Sequence, residues 1–113
     1  MKTLMKVMTV QAWENAKETG IITEPSLQEE GFIHCSFLHQ SLRVAHKHFA
    51  AEPSLVLLAI DGERVQAEIQ YELAANGEQY PHIYGVIHTS AVTNVYTLDK
   101  HADGTFTLPA ELT

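Results

Sequence analysis

Cysteine occurs once, at Cys35, so the chain can form no internal disulfide and can build neither a zinc ribbon nor a Cys-x-x-Cys redox pair. Basic residues are also scarce: 7 Lys and Arg stand against 14 Asp and Glu, a formal charge of −7. A field of that sign repels phosphate backbones and excludes non-specific binding to nucleic acid or to an anionic membrane. A small anionic ligand remains compatible with it, because a local Lys or Arg can outweigh the global sign. No stretch approaches the ~20 apolar residues needed to span a bilayer. The opening Met1-Lys2-Thr3-Leu4-Met5-Lys6 is basic, but Lys6 interrupts its apolar run before a signal-peptide core can build. These absences predict a protein of the reducing cytoplasm with no membrane partner.

What is present suits one domain over residues 1–113, with hydrophobic residues making up 45% of the chain, enough for a single core. Residues 3–8 read as a first strand. Thr9 caps a helix over 10–19, with Val10, Trp13 and Ala16 on one stripe and Gly20 as the stop. Residues 21–23 read as extended, and Ser26-Leu27-Gln28-Glu29 has the form of a capping box for a short helical turn. Residues 32–36 form a strand that feeds a helix over 38–51, whose stripe is Leu38, Leu42, Ala45 and Phe49 and whose break is Pro53. A second stripe carries His39, Arg43 and His46, with Lys47 and His48 off it.

The unbroken apolar run 55–60 predicts a central strand covered on both faces, and Asp61-Gly62 turns the chain. Residues 68–73 alternate, as a strand with one wet face does. Strands at 79–87, 92–98 and 105–108 follow, with turns at Asn76-Gly77 and Asp103-Gly104. Pro81 marks an edge, a bulge or an irregular start. Helices confined to the first half and hairpins in the second predict an α+β domain, mostly antiparallel, with two main helices.

Chemistry concentrates in two runs. In Phe32-Ile33-His34-Cys35-Ser36, strand alternation sends Ile33 and Cys35 to the core and Phe32, His34 and Ser36 to the other face. In Tyr80-Pro81-His82-Ile83-Tyr84-Gly85, Tyr80, His82 and Tyr84 share a face in the same way. Two strands that each offer a histidine and a hydroxyl predict one polar cleft with His34 and His82 as acid–base groups. Ser36 reads either as a helix cap or as a cleft group. Cys35 reads as a small buried hydrophobe, since His34 beside it points to the opposite face. Glu72 is the nearest carboxylate, on a polar face with Glu68 and Gln70. The seven histidines match no metal cage, and no His-Glu-x-x-His occurs, so no metal is expected. His39, His48, His88 and His101 read as surface residues.

The runs 30–36, 55–61 and 80–85, with Tyr71-Glu72 before the last and Trp13-Glu14 near the start, resemble a bacterial family of small proteins, domain-of-unknown-function family 952. The likeness covers almost the whole chain and implies no assigned activity. A strand bearing His34 and Ser36 that leads into a helix also resembles the ADP-ribosyltransferase fold, in its RNA 2′-phosphotransferase branch. That resemblance implies a split two-sheet domain holding NAD or an ADP-ribose-like group between its sheets. It implies that His34 and Ser36 contact ribose or phosphate and that Lys6 takes the first-strand cationic position. Tyr80, Tyr84 and Arg43 are the other expected ligand contacts.

The pattern departs at two places: the run 81–84 lacks the glutamate that this strand carries in that fold, with Glu72 as the expected substitute, and Lys6 stands at the first-strand position that often holds His or Arg there. The implied function is transfer or hydrolysis on NAD or an ADP-ribose derivative, with NAD as substrate. The alternative is a non-catalytic small-ligand-binding or protein-interaction domain. Oligomeric state is left open.

Overall fold

The computed structural model describes residues 2–112. It is an α+β structure with three small antiparallel sheets and few helices. Strand β1 (Thr3–Thr9) runs into α1 (Val10–Thr19), β2 (Ile21–Ile22), α2 (Pro25–Glu29), β3 (Ile33–His34), α3 (Ser41–His48) and β4 (Ser54–Asp61). Then come β5 (Ile69–Leu73), β6 (Gln79–Ile83), β7 (Ile87–His88) and β8 (Val92–Asp99). The sheets are β1-β4-β8, β2-β7 and β3-β6-β5. No helix among the described residues is long and apolar enough to cross a membrane.

Strand β4 is central because both its faces are apolar. Val56, Leu58 and Ile60 join Leu4, Met8, Trp13 and Ile83 in one core, while Leu55 and Leu57 join Val7, Ala45 and Phe106 in a second core beneath α3. Each fully buried Leu or Ile contributes about 1.5–3 kcal/mol. Helix α1 keeps its expected bounds. The Thr9 hydroxyl accepts the Ala12 N–H at 3.1 Å, and Gly20 closes the helix at φ 82°, donating its N–H to the Ala16 carbonyl.

Four local expectations are corrected. Ser26 caps nothing: α2 opens at Pro25, and the Ser26 hydroxyl lies 2.6 Å from Glu24 Oε2 and 2.7 Å from the Phe32 carbonyl. The 38–51 helix begins as a 3₁₀ turn over Leu38–Gln40 and becomes α-helical only over Ser41–His48. The 79–87 strand divides at Tyr84-Gly85-Val86, so that β7 leaves β6 and pairs with β2. The 105–108 strand reduces to one bridge, Lys100 with Phe106, because the Phe106 N–H turns to His46 Nε2 at 3.0 Å.

Pro81 lies in the middle strand of its sheet, opposite Tyr71. Its carbonyl accepts the Cys35 N–H at 3.0 Å, but it has no N–H to return, so the β3–β6 ladder stops there. The freed chain crosses to β1, where Ser36 and Met5 exchange two backbone hydrogen bonds of 2.8 Å. That crossing joins the two larger sheets at a single pair.

Candidate functional site

Beyond the Met5–Ser36 bridge a cleft of about 760 Å³ opens, bounded by β1 and α3 on one side and by β3, β6 and the β5–β6 turn on the other. Lys6, His34, Ser36, Arg43, Tyr80 and His82 all line it. Glu72 and Tyr84 do not; Glu72 flanks His82 from β5 on the same face of the sheet, and Tyr84 is bonded to Glu72. Three of the chain's 7 Lys and Arg face the cleft (Lys6, Arg43, Lys47), against 2 of its 14 acidic residues (Glu24, Glu30). His34, His48 and His82 add three imidazoles.

The alternation read from the two runs places the histidines. His34 and His82 are cross-strand partners, with ring centroids 5.2 Å apart at 78°. Their neighbours Ile33, Ile83 and Cys35 are buried behind them. Phe32 stacks on His82 at 4.0 Å and 11° and meets His34 edge-on at 5.0 Å. The His34 side chain is 50% exposed and that of His82 15%. Each has a carboxylate at one nitrogen: Glu30 Oε2 lies 3.1 Å from His34 Nε2, and Glu72 Oε1 lies 3.2 Å from His82 Nδ1. The second contact is out of line for a hydrogen bond, so Nδ1 is sealed from solvent beside a charge but not formally bonded to it.

The Tyr84 hydroxyl donates to that same Oε1 of Glu72. This bond holds the Glu72 carboxyl below the usual range, against partial desolvation, with His82 assisting. It also raises the Tyr84 phenol to about 12, with desolvation acting in the same direction.

Lys6 sits at the base of the cleft, 6% exposed, with Nζ 2.5 Å from Glu24 Oε1 and 2.8 Å from the His34 carbonyl. The other Glu24 oxygen accepts the His34 N–H at 3.1 Å as well as the Ser26 hydroxyl. Burial opposes ionisation of Glu24, but the Lys6 charge and the hydrogen bonds from Lys6, Ser26 and His34 outweigh it and keep the carboxyl below its ordinary value. One carboxylate thus ties β1, α2 and β3 together.

Sequence reasoning missed Glu24. The available signal was Lys6 itself, a charge within the apolar run Leu4-Met5-Lys6-Val7-Met8, which demands an anion inside the fold.

The Ser36 hydroxyl is buried and loosely held, 3.5 Å from both the Met5 carbonyl and Ser41 Oγ. It caps no helix, since the Phe37 N–H is taken by Gln40 Oε1 at 2.9 Å. Gln40, also missed, reaches on to Glu78 Oε1 and the Gln79 carbonyl, and Arg43 donates to Glu78. These bonds moor the β5–β6 turn to α3.

On the basic side of that helix, Arg43, Lys47 and His48 line the cleft, while His46 turns away to Phe106 and His39 to Glu78. Cys35 is inert: burial raises its thiol to about 11, Lys6 opposing and Glu24 adding to the shift.

The whole chain is similar to a solved protein of known source. The crystal structure of protein CC0527 from Caulobacter crescentus matches at 31% identity, covering 98% of each chain with a TM-score of 0.87. The solution NMR structure of CC0527 matches at 32% identity over 93% of this chain and 91% of that one, with a TM-score of 0.73. No curated protein matches. The family model described as protein of unknown function (DUF952) matches residues 7–95, and the chain belongs to that family.

Proposed function

We propose that the cleft binds a phosphorylated small molecule of the NAD or ADP-ribose class and that His82 moves a proton on it. The observation that carries this reading is a local reversal of charge: in a chain of net −7 the cleft lining holds Lys6, Arg43 and Lys47 against Glu24 and Glu30, beside the imidazoles of His34 and His82. Local cations of this kind recognise phosphate oxygens. The cavity also falls in the ~300–1,000 Å³ range of small-molecule sites. The resemblance of the His34–Ser36 strand and the helix after it to the ADP-ribosyltransferase fold favours the same ligand class.

Cleavage of the nicotinamide bond is the less favoured chemistry. Positive charge building on a ribose needs a facing carboxylate. Glu72 does not line the cleft and its Oε1 is taken by Tyr84, and both Glu24 oxygens are engaged. Proton transfer at a phosphate oxygen asks only for the imidazoles and cations that face the cleft. A non-catalytic interaction domain is the second reading, favoured by Leu73, 73% exposed on the outer strand β5 next to exposed Tyr71.

Titration calorimetry with ADP-ribose, NAD and nicotinamide tests the proposal. Binding of the two phosphorylated ligands but not of nicotinamide is expected. No heat from any of them up to about 1 mM, where binding is still worth ~4 kcal/mol, removes it.

A further inference from the structure

The Glu30–His34 and Glu72–His82 pairs stand side by side on neighbouring strands, and the arrangement has a directional consequence. Glu30 hydrogen-bonds His34 Nε2, and the Glu72 carboxylate lies 3.2 Å from the buried His82 Nδ1 without a formal hydrogen bond to it. The opposite nitrogens, His34 Nδ1 and His82 Nε2, have no protein hydrogen-bond partner among the described residues, although both side chains line the cleft. Phe32 lies against both rings and holds them near one another, and Tyr84 holds Glu72. An imidazole with a carboxylate on one nitrogen is set in one tautomer and offers the other nitrogen for proton transfer.

We infer that His34 and His82 act as an acid–base pair on a phosphate ester, so that the substrate is a nucleotide whose phosphodiester or phosphoanhydride P–O bond is hydrolysed. The inference rests on the nucleotide reading above and deepens it.

The step balances without a further reactant. Neutral His82 takes a proton from water at Nε2 as the water oxygen forms a bond to phosphorus. The P–O bond to the leaving group breaks, and the leaving oxygen takes a proton from Nδ1 of His34, which enters protonated. The half-exposed His34 regains a proton from solvent and His82 returns its own. Lys47, with no carboxylate in ion-pairing distance among the described residues, offsets charge on the non-bridging oxygens, the main requirement of phosphoryl transfer, while Lys6 and Arg43 are already paired with Glu24 and Glu78. Glu72 is then a positioning residue: it contacts His82 from the side, out of β5, and does not line the cleft. The other charged or titratable groups near the rings are Glu30, Tyr84 and the Lys6–Glu24 pair beneath the His34 backbone.

Phosphorus NMR and chromatography with ADP-ribose and with adenosine 2′,3′-cyclic monophosphate test the inference, alongside calorimetry of the same ligands. The wild-type chain is expected to cleave a P–O bond in at least one probe with a bell-shaped pH profile. His82→Asn should remove the acidic limb and His34→Asn the alkaline limb, each lowering the rate by roughly a hundredfold or more while binding persists. Glu72→Gln should lower kcat, leave KM near its wild-type value and displace the acidic limb, a change that loss of folding cannot mimic; thermal melts confirm that each variant is folded.

Binding without P–O cleavage, cleavage that survives both histidine substitutions, or release of nicotinamide from NAD with the phosphates intact overturns the inference and leaves the nucleotide reading standing. Absence of binding overturns both.

Discussion

Replacing Glu24 by alanine removes the only carboxylate within ion-pairing distance of Lys6 among the described residues and leaves an ammonium group, 6% exposed, facing the His34 carbonyl alone. Removing one partner of a buried ion pair costs about 3–5 kcal/mol because an uncompensated charge stays behind. Glu24 is itself 23% exposed, so water can reach the vacated site, and the lower end, about 3 kcal/mol, is the expected loss. Urea unfolding followed through Trp13 fluorescence measures it.

The reference is the double variant Lys6→Met with Glu24→Leu, which deletes both charges and should recover most of the loss. The pH dependence has a definite sign. The fold depresses the Glu24 carboxyl, so its contribution is fully present above the unfolded value near 4.5 and is lost as pH falls through the lower folded value. Wild-type stability should therefore fall more steeply below about pH 4.5 than that of Glu24→Gln. An alanine variant within 0.5 kcal/mol of wild type, or a double variant no better than the single one, would refute the assignment of Glu24 as the clip between β1, α2 and β3.

Three further outcomes are expected. His46→Leu leaves the Phe106 N–H without its acceptor, which should cost roughly 1–3 kcal/mol and speed hydrogen exchange at Phe106 well beyond any change at β4. Gly85→Ala places a Cβ 2.8 Å from that of Ala67, a clash that should cost about 1–3 kcal/mol in thermal unfolding and be relieved by adding Ala67→Gly. The Tyr84 phenol, held at about 12 chiefly by its hydrogen bond to Glu72, should ionise closer to its ordinary value of 10.0 in Glu72→Gln, as read from ring carbon shifts in NMR.

The sequence made legible what period alone determines. The apolar run 55–60 could only be a strand covered twice, and alternation through Tyr80 and His82 set the cleft-lining residues apart from buried Pro81 and Ile83. The helix cap and stop at Thr9 and Gly20 were readable because both act within a single turn.

What escaped depends on partners distant in the chain. Nothing near Glu24 announces that it meets Lys6, 18 residues earlier. Lys47 and His48 line the cleft while His46, expected on the stripe with Arg43, turns to the Phe106 N–H 60 residues away. Gly85 bends the chain between β6 and β7 where its absent side chain would meet Ala67 Cβ, a contact from 18 residues away that no local pattern shows.

The most direct test of the account is a titration of isotopically labelled protein with ADP-ribose, followed residue by residue in NMR. The account predicts saturable shifts centred on His34, Ser36, His82 and the Arg43 side chain, weakened by added salt, with β8 unchanged. Saturation with those four residues unmoved, or shifts clustered away from the Met5–Ser36 crossing, would contradict it.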